Sequence, residues 1–130
     1  PAILRAARAL ILFDAILWLA FAAIIAAGVH PSYPDGSIFQ WPMAAGGLGG
    51  AILMLAIAWI LRAPGRLGYR LSVAILAGMV LLGLFDQVGL ADLAFMILPL
   101  IPLVLLVKGR AWYFRPRMAG QGFPLRTSVE

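Results

Sequence analysis

The sequence predicts an all-α fold: a four-transmembrane-helix bundle, N-in/C-in, with a kinked fourth helix. Three observations carry that prediction. The 130 residues are 64% hydrophobic and only 12% charged, whereas a soluble globular chain is about 45–50% apolar and about 25% charged. The apolar residues fall in runs of the length, about 17–25 residues, that a helix needs to cross a bilayer. All ten Lys and Arg residues lie in the segments on one side of those runs. A single domain of this size buries only about two-thirds of the surface its unfolded chain exposes, so a chain this apolar needs lipid as its solvent.

The first span is expected over about 9–29, interrupted only by Asp14 and preceded by Arg5 and Arg8. Its apolar stretch exceeds the roughly 7–15 residues of a signal-peptide core, so it is read as a retained span. Residues 30–37, His-Pro-Ser-Tyr-Pro-Asp-Gly-Ser, end it with Pro and Asp-Gly turn signals. The second span, about 41–61, carries no charge, and a short loop with Arg62, Arg66 and Arg70 follows. The third and fourth share an apolar tract from Leu71 to Val107, broken by the polar insert Asp86 to Asp92. One helix over that whole tract would be roughly 55 Å long, against a hydrocarbon core of ~30 Å. Two spans, about 71–88 and 91–107, with a turn near Gly89 fit better. Pro99 and Pro102 lie in the last of them. Each lacks an N–H and disfavours the helical bond to the residue four back, which predicts a kink and releases the carbonyls of Phe95 and Leu98. Residues 108–130 read as a basic cytoplasmic tail, and 1–130 as a single membrane domain.

The charges fix an orientation. Arg5, Arg8, Arg62, Arg66, Arg70, Lys108, Arg110, Arg115, Arg117 and Arg126 share one side, while the other side holds His30, Asp35, Asp86 and Asp92. Positive residues are retained in the cytoplasm, so both termini are expected there, in the cell membrane. Ten to none also excludes dual insertion. The net charge of +5 is thereby explained by topology, and no nucleic-acid partner is expected. Lys108, Arg110, Arg115 and Arg117 are candidates for contacts with anionic lipid headgroups.

Helices in lipid associate through small residues that let backbones approach. Gly46, Gly47, Gly49 and Gly50 in the second span form the candidate packing seam, with Gly46 and Gly50 spaced as GxxxG. The seam serves either the bundle itself or an oligomer or second membrane subunit.

Ionisable groups within a span are costly and default to functional candidates. Asp14 shares a helical face with Trp18 and Phe21; it either pairs with Arg70, Lys108 or Arg110 or is a protonatable group in a transport path. Asp86 lies near the C-terminal end of the third span, where the helix dipole disfavours an anion, on the side that lacks Lys and Arg. With Gln87, Asp92 and His30 it makes a candidate proton or cation site, although Asp92 also suits a helix cap and His30 an interfacial position. Zero Cys and one His exclude disulfides, thiolate metal sites and multi-His zinc. No metal and no cofactor are expected, and no catalytic motif is present. The leading expectation is a non-enzymatic accessory or interaction subunit. The alternative is an oligomeric proton- or cation-coupled transporter using Asp14 and Asp86.

Overall fold

In the computed structural model, which describes residues 2–85 and 90–115, the first helix α1 runs Ala2–Ala26. It begins well before the apolar run because its opening residues are Ala, Ile, Leu and Arg, which lose little on entering a helix. Leu4, Ala7, Ile11, Asp14, Ala15, Ala22 and Ile25 are buried, a recurrence at three and four residues that sets one face of the helix inward. Gly28 ends it with φ +71°, the left-handed conformation that follows many helices and that Gly adopts without steric cost. Its N–H donates to the Ile25 carbonyl at 2.9 Å. A Cβ at this position would stand 2.6 Å from Cβ of Asp35.

The turn cluster forms a minimal hairpin. Strand β1 (Val29–His30) pairs antiparallel with β2 (Tyr33–Pro34), His30 opposite Tyr33, and Pro31 and Ser32 make the bend. Helix α2 follows at Gln40–Ile60, α3 at Arg66–Phe85, α4 at Leu90–Lys108 and a single turn α5 at Arg110–Tyr113. Helix α1 packs most extensively on α2 and also lies along α4; α3 packs on α4 and meets α2 only sparsely. The core therefore centres on α1. It joins Leu4, Ala7, Ile11 and Ala15 to Met54, Ile57 and Leu61 of the α2 end and to Leu76 and Leu106.

Among the described residues three helices, not four, are long and apolar enough to cross a membrane: α1, α2 and α3. The fourth expected span, 91–107, corresponds to α4, whose apolar part, Leu93–Lys108, falls among the shorter helices. The expectation credited two spans to one apolar tract; of the second, the stretch counted among the described residues is Leu93–Lys108, with Lys108 at its end. Sixteen residues at ~1.5 Å each reach about 24 Å, short of the ~30 Å core. Helix α4 is continuous through Pro99 and Pro102, and both rings are fully buried. The additional one-turn helix α5 was not anticipated.

Only 22%, 39% and 17% of the spanning windows of α1, α2 and α3 are buried inside the protein, so most of each helix faces outward. Those faces carry Phe13, Ile16, Ile52, Trp59, Leu71 and Leu82, all exposed. An apolar surface of this extent on a small chain is a membrane-facing surface. The molecule is a small helical protein with several membrane-spanning helices.

Candidate functional site

Three places gather chemistry-bearing residues: the bundle interior around Asp14, the hairpin end, and the basic end.

Asp14 lies on the inward face of α1 between Ile11 and Ala15 and is 0% exposed. Neither carboxyl oxygen has a hydrogen-bond partner, nor does the indole N–H of Trp18, one turn further on. The expected pairing with Arg70, Lys108 or Arg110 is not formed: all three side chains are exposed, whereas Asp14 points into the core. Trp18 and Phe21 do share the Asp14 side of α1. Trp18 stands 5.1 Å from Phe95 of α4, and Phe21 5.2 Å from it, between ring centroids. These three rings join α1 to α4.

The glycine seam is divided by what each glycine meets. A Cβ on Gly50 would lie 2.8 Å from the Trp18 ring, and one on Gly47 3.1 Å from Ala22 Cβ and 3.2 Å from Phe21. Those two glycines let α2 press against α1. A Cβ at Gly46 or Gly49 would meet nothing within 4 Å. Gly46 and Gly50, four residues apart, lie on one side of α2, but only Gly50 meets α1.

At the hairpin end, His30 stacks edge-on against Phe21 at 6.0 Å and lies 5.5 Å from Tyr33. Its Nδ1 accepts the Ser32 N–H at 3.2 Å. It is half-buried and tied to its own turn. Its expected neighbours Asp86 and Gln87 lie outside the described residues, as does Arg117 of the basic set. Asp92 falls in the first turn of α4, and its side chain too lies outside what is described.

The residue that organises this end is Gln40, which the sequence reading passed over. It is 2% exposed. Its Nε2 donates to the carbonyls of Ile25 and Ala26 at 3.2 and 3.1 Å, and its Oε1 accepts the Gly36 N–H at 3.1 Å. One side chain thus bonds two carbonyls in the last turn of α1, of which that of Ile25 also accepts the Gly28 N–H, and anchors the loop before α2. A lone amide at the head of an uncharged span was the available signal.

At the basic end, contacts draw several cations together. Arg8 donates from Nε to the Ala58 carbonyl at 3.2 Å, in the last turn of α2, where a cation complements the helix dipole. The Arg66 guanidinium lies 5.8 Å above the Phe114 ring, a cation–π distance. Tyr69 stacks on Tyr113 at 5.2 Å and on Phe114 at 5.4 Å. Gly109 sits against Leu4, since a Cβ there would be 2.6 Å from its methyl. The first turns of α1 and the segment after α4 therefore meet at one end. Tyr113 is buried with its hydroxyl unpaired; burial pushes its phenol above the ordinary value, Arg8 opposes this, and Tyr69 adds to it.

Among the described residues no group of three or more His, Cys, Asp or Glu is placed to hold a metal ion. No protein-family model, no curated protein sequence and no solved structure matches this chain.

Proposed function

We propose that this chain is a non-enzymatic interaction subunit of the cell membrane, which docks a helix of a partner membrane protein on the outward face of α2. The observation that carries the reading is the divided glycine seam. The α1–α2 contact uses Gly47 and Gly50, while nothing lies within 4 Å of a Cβ at Gly46 or Gly49, which leaves room there for a second backbone to approach. The charge bias orients the assembly, with the basic end, the start of α1 and the chain after α4 in the cytoplasm.

A photo-crosslinking residue at Gly46 or Gly49, introduced in cells, should link the chain to one partner helix that mass spectrometry identifies. The same residue at Leu82, exposed on α3, should link to lipid. Lipid adducts at all three positions, with no protein adduct, would remove the docking reading.

A second reading is favoured by one observation, the unpartnered Asp14 carboxyl inside the bundle. It makes the protein an oligomeric proton- or cation-coupled transporter using Asp14 and Asp86. Purified protein in liposomes loaded with a pH-sensitive dye tests it. Flux abolished by Asp14→Asn or Asp86→Asn supports transport, and no flux from the unaltered protein rules it out.

A further inference from the structure

The basic end carries more charge than its packing uses. Of the cations described there, Arg8 is engaged by the Ala58 carbonyl and Arg66 by the Phe114 ring. Arg5, Lys108 and Arg110 are exposed. The close approach of Gly109 to Leu4 brings these three to one corner, because Arg5 adjoins Leu4 in sequence and Lys108 and Arg110 flank Gly109. Among the described residues no carboxylate lies at this end: Asp14 is inside the core, and Asp35 and Asp92 belong to the opposite end. Three like charges held together by backbone packing repel one another unless an anion sits among them. The level at which they sit is set by the ends of membrane-spanning helices, where the phosphates of the bilayer lie.

We propose that the corner formed by Arg5, Lys108 and Arg110 is a binding site for the headgroup of an anionic phospholipid. Its cations come from two elements, the first turns of α1 and the α4–α5 junction, so a headgroup there also ties the ends of the bundle together. Trp112, half-buried against Tyr113 at 4.8 Å between ring centroids, lies at the level where an aromatic ring favours the membrane interface. The inference needs the chain to be membrane-embedded but is independent of any partner on α2.

The test uses the full chain in mild detergent, titrated with phosphatidylglycerol or phosphatidylcholine of matched acyl chains and read by native mass spectrometry and by thermal stability. Phosphatidylglycerol should be retained and stabilising, phosphatidylcholine not, and raised salt should shrink the difference. The triple variant Arg5→Gln, Lys108→Gln, Arg110→Gln should bind phosphatidylglycerol about a hundredfold more weakly, as expected for three cations near a membrane surface. The control triple variant Arg66→Gln, Arg70→Gln, Arg115→Gln removes the same charge elsewhere at this end and should retain most of the preference. Equal losses in the two variants would mean diffuse attraction and overturn the site. So would equal retention of the two lipids by the unaltered protein, or equal stabilisation by millimolar inorganic phosphate.

Discussion

Asp14 sits on the same inward stripe of α1 as Ile11 and Ala15, so its place in the core follows from helical phase and its discomfort there from chemistry. A buried polar group without a hydrogen-bond partner costs about 1–3 kcal/mol. Asp14→Leu should therefore raise the thermal midpoint in detergent, by an amount of that order. A lowered midpoint would mean that the carboxyl is bonded in the packed protein. A raised midpoint would show that the carboxyl adds nothing to the packing of α1. Its burial was legible only in part. The spacing of Asp14, Trp18 and Phe21 gave the shared face, but the supposed pairing with a basic residue ignored that those cations project outward from the rim. Tyr113 poses the complementary case outside the spans. Its phenol is held above the ordinary value by burial, so the folded state keeps a proton that the unfolded state releases near pH ~10. Its contribution is complete below that pH and is lost as pH rises further. Unfolding measured across pH 9–11.5 should show an alkaline loss of stability that Tyr113→Phe reduces. An unchanged profile would assign the loss to other groups.

At the scale of elements, the hairpin end and the α1–α2 contact rest on very few atoms. Gln40→Leu would leave the Ala26 carbonyl against a side chain that cannot donate, take the second donor from the Ile25 carbonyl, and free the Gly36 N–H. The expected cost is about 1–3 kcal/mol, read as a lower thermal midpoint. Gln40→Glu, which keeps the shape but replaces the donor with acceptors, should destabilise as well. A neutral Leu variant would show that solvent serves those carbonyls. The glycines discriminate in the same way. Gly50→Leu must displace the flat Trp18 ring, only 2.8 Å from where its Cβ would stand, and overpacking of this kind costs about 1–3 kcal/mol. A Cβ at Gly46 meets nothing within 4 Å, so Gly46→Ala should leave the isolated chain's stability within about 0.5 kcal/mol. Equal effects from the two would contradict the divided seam. The run Gly46-Gly47-Leu48-Gly49-Gly50 announced close packing, but it fits several pairings. Only the position of α1 selects Gly47 with Gly50.

For the whole molecule, composition identified lipid as the solvent, and the placement of Lys and Arg identified one end, because both are sums over many residues that no single contact can reverse. The number of spans was less secure. It depended on how the tract from Leu71 to Val107 divides around its polar insert, and among the described residues only α1, α2 and α3 are long and apolar enough to span. The aromatic and cationic packing around Tyr113 was not legible at all, since it joins residues of α1, α3 and α5 far apart in the chain. What the charges do predict is sidedness, and it can be measured directly because the chain has no Cys. Ser32 in the hairpin and Ala63 in the α2–α3 loop are both exposed, and the whole of α2 separates them. Single variants Ser32→Cys and Ala63→Cys can be treated in intact cells with a membrane-impermeant maleimide. Ser32→Cys should label at once and Ala63→Cys only after permeabilisation, because Ala63 is flanked by Arg62 and Arg66 and the positive-inside bias retains that loop in the cytoplasm. Replacing Arg62, Arg66 and Arg70 with Gln should weaken this sidedness less than also replacing Arg5 and Arg8, since the loops on either side of the first two spans act together. Labelling of Ala63→Cys in intact cells would invert the assignment, and with it the compartment in which the anionic headgroup at Arg5, Lys108 and Arg110 must be sought.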